Sequence, residues 1–465
     1  MPPEDAEHGC SGVAADLLAG VRVLDLTNVL AGPFAGYQLG LMGADVVKVE
    51  VPAGGDLARS LGADPELSAR GLGISFLAQN GGKRSLTLDL KKPAGREVFE
   101  RLVRDADVLL ENFRPGVLSR LGFGWDVLHA LNEQLVYCAV SGFGQTGPMR
   151  GRPAYDQIIQ GLSGIMSVTG TPETAPTRTG FPIADTLGGY AAAFAISAAL
   201  VKRSRTGVGS YLDVSMLETA VAAMGWVVSD YLVGGREPRA MGNENATSAP
   251  SGTFATADGE LNIAANKQEQ YVELCGVLGR PELIADERFA TRESRKQHRA
   301  VLKAELEKTL RERSAAEWDE LLATTGVPVA PVLTVPAALA LDQLTERQLL
   351  HEVPMPPATK VAASPGPPDR ADRQGRERGS GTLGSGVPGG AGRADSRHEP
   401  AETETQPRES GERSLRVLGS SVHVDGRPVG PAGRPPALGE HVDEVLGGLG
   451  YSAEEIAELR VEGVV

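Results

Sequence analysis

An α/β fold is predicted for this chain, with a doubly wound large domain and a smaller α+β domain. Three observations point to it. Short apolar strands alternate with helical stretches over residues 21–140. Polar or glycine-containing triplets follow several of those strands directly. Further along, a hairpin-like stretch gives way to helices rich in Glu, Leu, Arg and Ala. Strand–helix alternation with such connections implies a mostly parallel sheet covered on both faces.

The elements follow in order. Val21-Arg22-Val23-Leu24-Asp25-Leu26 reads as a buried strand. Pro33 opens a helix through Met42, and Gly43 stands as its stop. Residues 45–50 form a second strand and residues 85–90 alternate like a third. Lys92-Pro93 leads into an amphipathic helix over 95–105, with Val98, Leu102 and Val103 on one side. Residues 107–111 and 135–140 supply two more strands. Doubly wound sheets bind ligands beyond the carboxyl ends of their strands. Those ends hold Thr27-Asn28, Asn112-Phe113-Arg114 and Ser141-Gly142. Residues 185–205 form one long alanine-rich helix stopped by Thr206-Gly207, and Tyr211-Leu212-Asp213-Val214 a short strand. A helix over 218–232, a hairpin over 251–265 around Asp258-Gly259, and helices to about Leu322 complete the middle of the chain.

Boundaries are set at 1–17 for a disordered N-terminus, 18–220 for the large domain, 221–350 for the small one, and 415–465 for a C-terminal segment. Between them, residues 356–414 contain no Phe, Trp or Tyr, and Val361, Leu383 and Val387 are their only Val or Leu. Such a tract buries too little apolar surface to offset chain entropy, so disorder is expected there. Residues 453–460 read as a terminal helix.

A formal net charge of −14 argues against a nucleic-acid binder, which needs a basic surface. Cys10, Cys138 and Cys275 match no metal or redox spacing and read as reduced thiols. The acidic first residues lack a signal-peptide core, and the apolar run 191–201 is too short to span a bilayer. A cytoplasmic protein with no membrane partner is therefore expected.

Three motifs invite chemistry. Gly142-Phe143-Gly144-Gln145-Thr146-Gly147 spells a dinucleotide fingerprint after a strand, but Pro148, Gly151 and Pro153 prevent the helix such a site needs. It reads as a glycine-rich turn. Asp185 precedes the long helix, where an aspartate serves equally as N-cap or as nucleophile beside N–H donors. Gly188 and Gly189 would let a bulky ligand approach the backbone there. Lys83-Arg84, Lys91-Lys92, Arg114 and Arg120 cluster near strand ends, either as solvated surface or as a seat for a phosphate-rich ligand.

A run of segments resembles the class III CoA-transferase family. Near the N-terminus these are Gly20-Val21-Arg22-Val23-Leu24-Asp25-Leu26, Ala31-Gly32-Pro33, Leu41-Met42-Gly43-Ala44-Asp45-Val46-Val47-Lys48-Val49-Glu50, Gly55-Asp56 and Lys83-Arg84-Ser85-Leu86-Thr87-Leu88-Asp89-Leu90-Lys91. Glu111-Asn112-Phe113-Arg114-Pro115-Gly116, Ser141-Gly142-Phe143-Gly144-Gln145-Thr146-Gly147-Pro148, Tyr155-Asp156, Ser167-Val168-Thr169-Gly170 and Ala184-Asp185 continue it. The likeness covers about residues 17–350 and resumes from about 415 with Pro436-Ala437-Leu438-Gly439-Glu440-His441. It implies a Rossmann-like large domain joining both ends of the chain, a smaller domain between them, and an interlocked homodimer.

The resemblance also implies roles. Asp185 matches the nucleophilic aspartate. Leu30, Ala31, Leu88, Lys91, Asn112, Phe113, Arg114, Arg120, Ala154, Tyr155 and Asp156 fall where the family contacts CoA. The implied activity moves CoA between carboxylic acids through an aspartyl anhydride and thioester, with CoA thioester as substrate and no cofactor or metal. The start of the long helix would supply the oxyanion donors. Val51 stands where some members place arginine, and Leu30 where formyl-CoA transferase has glutamine, implying a different acyl group. The stretch from Met241 through Asn245, with 251–254 and 262–268, is similar to members handling short dicarboxylic acids, so succinyl-CoA is the expected donor. Arg178 is read either as surface or as partner of a distal carboxylate. Racemases of this family carry histidine before the aspartate matching Asp156; the residue here is Tyr155, a poor base near neutrality. An isomerase or a non-catalytic CoA binder stands as the alternative.

Overall fold

The computed structural model describes residues 14–357 and 414–465. Six parallel strands form the central sheet: β1 (Arg22–Asp25), β2 (Asp45–Glu50), β3 (Arg84–Thr87), β4 (Val108–Glu111), β5 (Val136–Ser141) and β6 (Ser210–Ser215). Their order is β3-β2-β1-β4-β5-β6. Chain direction across the sheet reverses between β1 and β4, which opens a crevice at their carboxyl ends.

Period-two alternation divides the apolar side chains between the two faces of the sheet. Leu24, Val47 and Leu109 pack on one face with α2 (Pro93–Asp105), through Val98, Phe99 and Leu102. The same core takes in Val445 and Leu446 of α10 (Val442–Gly448) and Ile456 and Leu459 of α11 (Ala453–Val461). Val23, Val46, Val108 and Leu110 face the other way. There they meet α1 (Ala31–Leu41) and the 24-residue α4 (Ile183–Thr206), with α3 (Asp156–Ser163) and α5 (Met216–Ala223) alongside.

The stretch read as one helix over 218–232 is two, α5 and α6 (Gly225–Gly234), bent by 71°. The expected hairpin is β7 (Ser251–Ala255) with β8 (Glu260–Ala264), and an unforeseen β9 (Val329–Pro331) adds a third strand. Phe254, Leu261, Tyr271, Leu306 and Trp318 form a core of their own with α7 (Gln268–Val277), α8 (Arg299–Leu310) and α9 (Ala315–Leu322).

Then β10 (Leu350–Pro354) pairs antiparallel with β11 (Ser414–Leu418). β12 (His423–Val424) and β13 (Arg427–Pro428) form a tight hairpin whose two loop residues, Asp425 and Gly426, both have positive φ. The expectations of disorder at 1–17 and 356–414 fall almost wholly outside the described residues. Among the described residues α4 is long and apolar enough to cross a membrane, as would be α5 and α6 taken as one broken span. The apolar run read as too short for a span thus sits inside a longer helix.

Candidate functional site

The crevice at the switch point is a cavity of about 220 Å³. Asn28 to Ala31 line it from the β1 side, Asn112 and Phe113 from β4, and Val140 to Gly142 from β5. Ala154, Tyr155, Asp185 and Met216 complete the wall. Seven of the residues implied by the resemblance therefore meet in one place: Leu30, Ala31, Asn112, Phe113, Ala154, Tyr155 and Asp185.

The backbone on the β1 side is fastened at each step. Asn28 N–H donates to Asn112 Oδ1 and Asn28 O accepts from Asn112 Nδ2, both at 2.8 Å. Val29 has φ 70°, a left-handed conformation that a β-branched residue adopts only under constraint. Its N–H donates to Asp56 Oδ1 at 2.9 Å, and its carbonyl accepts from Gln79 Nε2 at 2.9 Å. Beyond it, the N–H groups of Leu30 and Ala31 meet no acceptor among the described residues.

Under this turn lies a buried array of three acids and three bases: Asp25, Glu50 and Asp56 with Lys48, Arg59 and Lys83. Lys48 Nζ sits 2.9 Å from Asp56 and 2.8 Å from Thr27 O; Lys83 Nζ sits 2.8 Å from Asp25. Arg59 makes a fork on Glu50 with both bonds at 2.7 Å and donates to Pro436 O at 3.2 Å, which ties in the C-terminal segment. Burial alone would push the Asp25 carboxyl up, but Lys83 and Lys48 together hold it below its ordinary range. Burial likewise opposes charge on Lys48, and Asp25, Asp56 and Glu50 outweigh it, raising its pKa.

Asp185 sits in the first turn of α4, three residues past Pro182, so the N-cap reading is corrected. Another chain segment caps this helix. Asp156, at the start of α3, accepts the Ala184 N–H at 2.8 Å and the Asp185 N–H at 3.4 Å, and Gln160 holds its other oxygen at 2.6 Å. Ile183 and Thr186 N–H are likewise taken, by Phe181 O and Pro182 O. The start of α4 thus has no donors left for an oxyanion, contrary to expectation. Burial first, and the Asp156 charge second, push the Asp185 carboxyl up to about 7. It has no cationic partner among the described residues.

Gly188 and Gly189 also serve differently from expectation. A Cβ on Gly189 would lie 2.6 Å from Ala31 O and 2.8 Å from the Phe34 ring, and one on Gly188 3.0 Å from Met216. They bring α4 close to α1 and α5; they do not admit a ligand. Gly142 similarly makes room for Ala154, whose Cβ would be 2.3 Å away. The glycine-rich turn after β5 is a turn, since no helix starts before Asp156.

The remaining implied residues lie outside the cavity lining. Leu88 is buried in the sheet core, so only its backbone is available to a ligand. Lys91, Arg114 and Arg120 are exposed and form no ion pair among the described residues. Lys83 and Arg84 drop out of the expected basic cluster. Lys83 is buried against Asp25, and Arg84 pairs with Asp45 and Glu444 at the opposite end of the sheet. Lys92 is bound to Glu462 O and Gly463 O. Arg178 is exposed and donates to Thr179 O at 3.1 Å.

Two features of the site were not anticipated, although both residues lie at strand ends within the segments of the resemblance. Ser141 Oγ is buried beside the cavity with no partner among the described residues. Glu111, beneath Phe113, is pushed up to about 7 by burial, although it accepts from Phe113 N–H at 2.6 Å and Tyr137 OH at 3.0 Å.

Known proteins resemble this chain in sequence and in fold. The profile of CoA-transferase family III matches residues 18–381. An acetyl-CoA:oxalate CoA-transferase of Acetobacter aceti is 41% identical over 332 residues, 71% of this chain and 84% of that protein. A succinyl-CoA:glutarate CoA-transferase of Mus musculus is 37% identical over 350 residues, 75% of this chain and 79% of that protein. The crystal structure of a CAIB/BAIF family protein from Brucella suis superposes with a TM-score of 0.72 at 32% identity, covering 94% of this chain and all of that one. On sequence and on fold alike, the chain belongs to CoA-transferase family III and is an enzyme.

Proposed function

We propose that the enzyme moves coenzyme A from an acyl-CoA to a second carboxylic acid through covalent intermediates on Asp185. The observation that carries this reading is the carboxyl of Asp185, desolvated, unpaired and raised to about 7 in the switch-point cavity. A carboxylate held without a cation and with little water is a better nucleophile than a solvated one.

The Asp185 carboxylate adds to the thioester carbonyl, the C–S bond breaks, and a mixed anhydride forms as CoA thiolate leaves. The thiolate then attacks the Asp185 acyl carbon, releasing the donor acid and leaving an aspartyl-CoA thioester. The acceptor carboxylate attacks that thioester, and the thiolate returns to the acceptor's acyl carbon, regenerating Asp185. CoA is a substrate throughout. Lys91, Arg114 and Arg120 are assigned to its phosphates, as exposed cations without ion-pair partners among the described residues.

Relatives named for oxalate and glutarate support short dicarboxylic acids as the acids exchanged, with succinyl-CoA as the donor to try first. A homodimer belongs to the same reading. Phe194 on α4 and Val233 on α6 are 77% and 89% exposed in the single chain, apolar surface that a second copy would cover.

The test is covalent trapping. Enzyme incubated with succinyl-CoA, quenched with hydroxylamine and digested should yield a hydroxamate on the peptide containing Asp185. Asp185→Ala should abolish turnover while CoA binding, followed by calorimetry, persists. An Asp185→Ala protein that still turns over refutes the scheme.

A further inference from the structure

We infer that Asp56 and Gln79 are positioning residues for acyl transfer: they hold Val29 left-handed so that the Leu30 and Ala31 N–H groups stay free within the cavity. The inference rests on the reading of that cavity as the thioester site.

Three consecutive residues, Thr27 to Val29, have polar backbone atoms fastened by side chains from elsewhere in the chain. Thr27 O is held by Lys48, Asn28 on both sides by Asn112, and Val29 on both sides by Asp56 and Gln79. The clamping groups are themselves buried: Asp56 is 1% exposed and Gln79 5%. Lys48 closes the circuit by binding Asp56 as well as Thr27 O. A valine at φ 70° relaxes unless its surroundings over-determine it, and here every polar atom of the residue is engaged.

The same turn then leaves the N–H groups of Leu30 and Ala31, which line the cavity with Asp185, without an acceptor among the described residues. The start of α4 cannot do this, because Asp156 occupies its donors. Fixed dipoles aimed at a developing oxyanion act because they need no reorganisation when charge appears. Relaxing Val29 would turn the following peptides away. Binding of the thioester would survive this better than its chemistry.

Two variants test the point in the full-length enzyme: Gln79→Leu, which removes the amide donor to Val29 O, and the isosteric Asp56→Asn. Each should lower kcat by about tenfold or more, a fraction of the roughly hundred- to thousandfold loss that follows outright removal of an oxyanion donor. KM for the acyl-CoA should stay within about threefold, as expected for an interaction made in the transition state. Glycine adopts φ 70° without constraint. Adding Val29→Gly to Gln79→Leu should therefore recover at least about threefold of the lost kcat. A role confined to stability would show no such rescue.

Folded variants with kcat near wild type would overturn the inference, as would a double variant no faster than Gln79→Leu alone. Should Asp56→Asn fail to fold, Gln79→Leu and its glycine rescue decide the matter. A wild-type enzyme without transferase activity would instead sink the functional reading, and this inference with it.

Discussion

Asp185, in the first turn of α4, and Asp156, which reaches that turn from α3, play opposite parts. Asp156 gathers three donors and serves as the cap; Asp185 gathers none and is left as a reactive acid. With its carboxyl raised to about 7, the nucleophilic form accumulates through neutrality. The single-turnover rate of hydroxylamine-trappable intermediate should rise with pH and level off above about pH 8. Stability should move the other way. Between the ordinary carboxyl pKa and about 7 the folded state binds a proton that the unfolded chain has lost, so stability falls as pH rises through that window. Asp185→Asn should therefore be more stable than wild type by about 2–4 kcal/mol at pH 8, with the gap closing near pH 4, in urea melts at both values. Part of this site was legible because its residues follow strand ends: Asn28 after β1, Asn112 and Phe113 after β4, Ser141 and Gly142 at the end of β5; Leu30 and Ala31 were implied by the resemblance alone. The roles of Asp156, Gln79 and Ser141 were not legible. Nothing in local spacing says that a carboxylate on one helix will cap another, or that a hydroxyl will lack a partner.

The contact between α1 and α4 is where helix composition meets the site. Gly32 lets Thr27 lie against α1, a Cβ there coming within 2.3 Å of Thr27 Cγ2, and Gly189 lets the Ala31 carbonyl approach α4. Phe34 and Tyr190 seal the edge with ring centroids 4.8 Å apart. Gly189→Ala should cost about 1–3 kcal/mol, because backbone and not a flexible side chain stands in the way. Because α1 carries Ala31 and α4 carries Asp185, the same variant should lower kcat; thermal melts and steady-state kinetics on one preparation would check both. Strands were read to within a residue or two from apolar runs, except β3, read through Leu90 but ending at Thr87, and α2 was read from its one-sided pattern. The break between α5 and α6 escaped notice because Met224-Gly225 sits in an otherwise continuous helical pattern. β9 escaped notice for another reason: three residues carry too little periodicity, and only its pairing with β8 makes it a strand.

Across the whole molecule, strand order places the crevice and the C-terminal segment closes the sheet around it. Arg59 to Pro436, Ser85 to His441 and Lys92 to Gly463 fasten the last residues onto the segment after β2, onto β3 and onto the cap of α2, at sequence separations of more than 350. Such contacts have no trace in local sequence; the resemblance alone implied that the ends would join. β10 and β11 lie on either side of residues 355–413, and their pairing brings Pro354 beside Ser414. Replacing 358–413 with a short Asn-Gly-containing linker should leave kcat unchanged and the melting temperature within a few degrees. Loss of the folded state on excision would show that the tract contributes to the fold. The closure cost of a loop grows only as the logarithm of its length, about 0.6 kcal/mol per doubling. This antiparallel pair is therefore an insertion port: a reporter or affinity domain spliced between Pro354 and Ser414 enters and leaves through adjacent residues. The enzyme could then be tagged internally with its anchored C-terminal segment undisturbed.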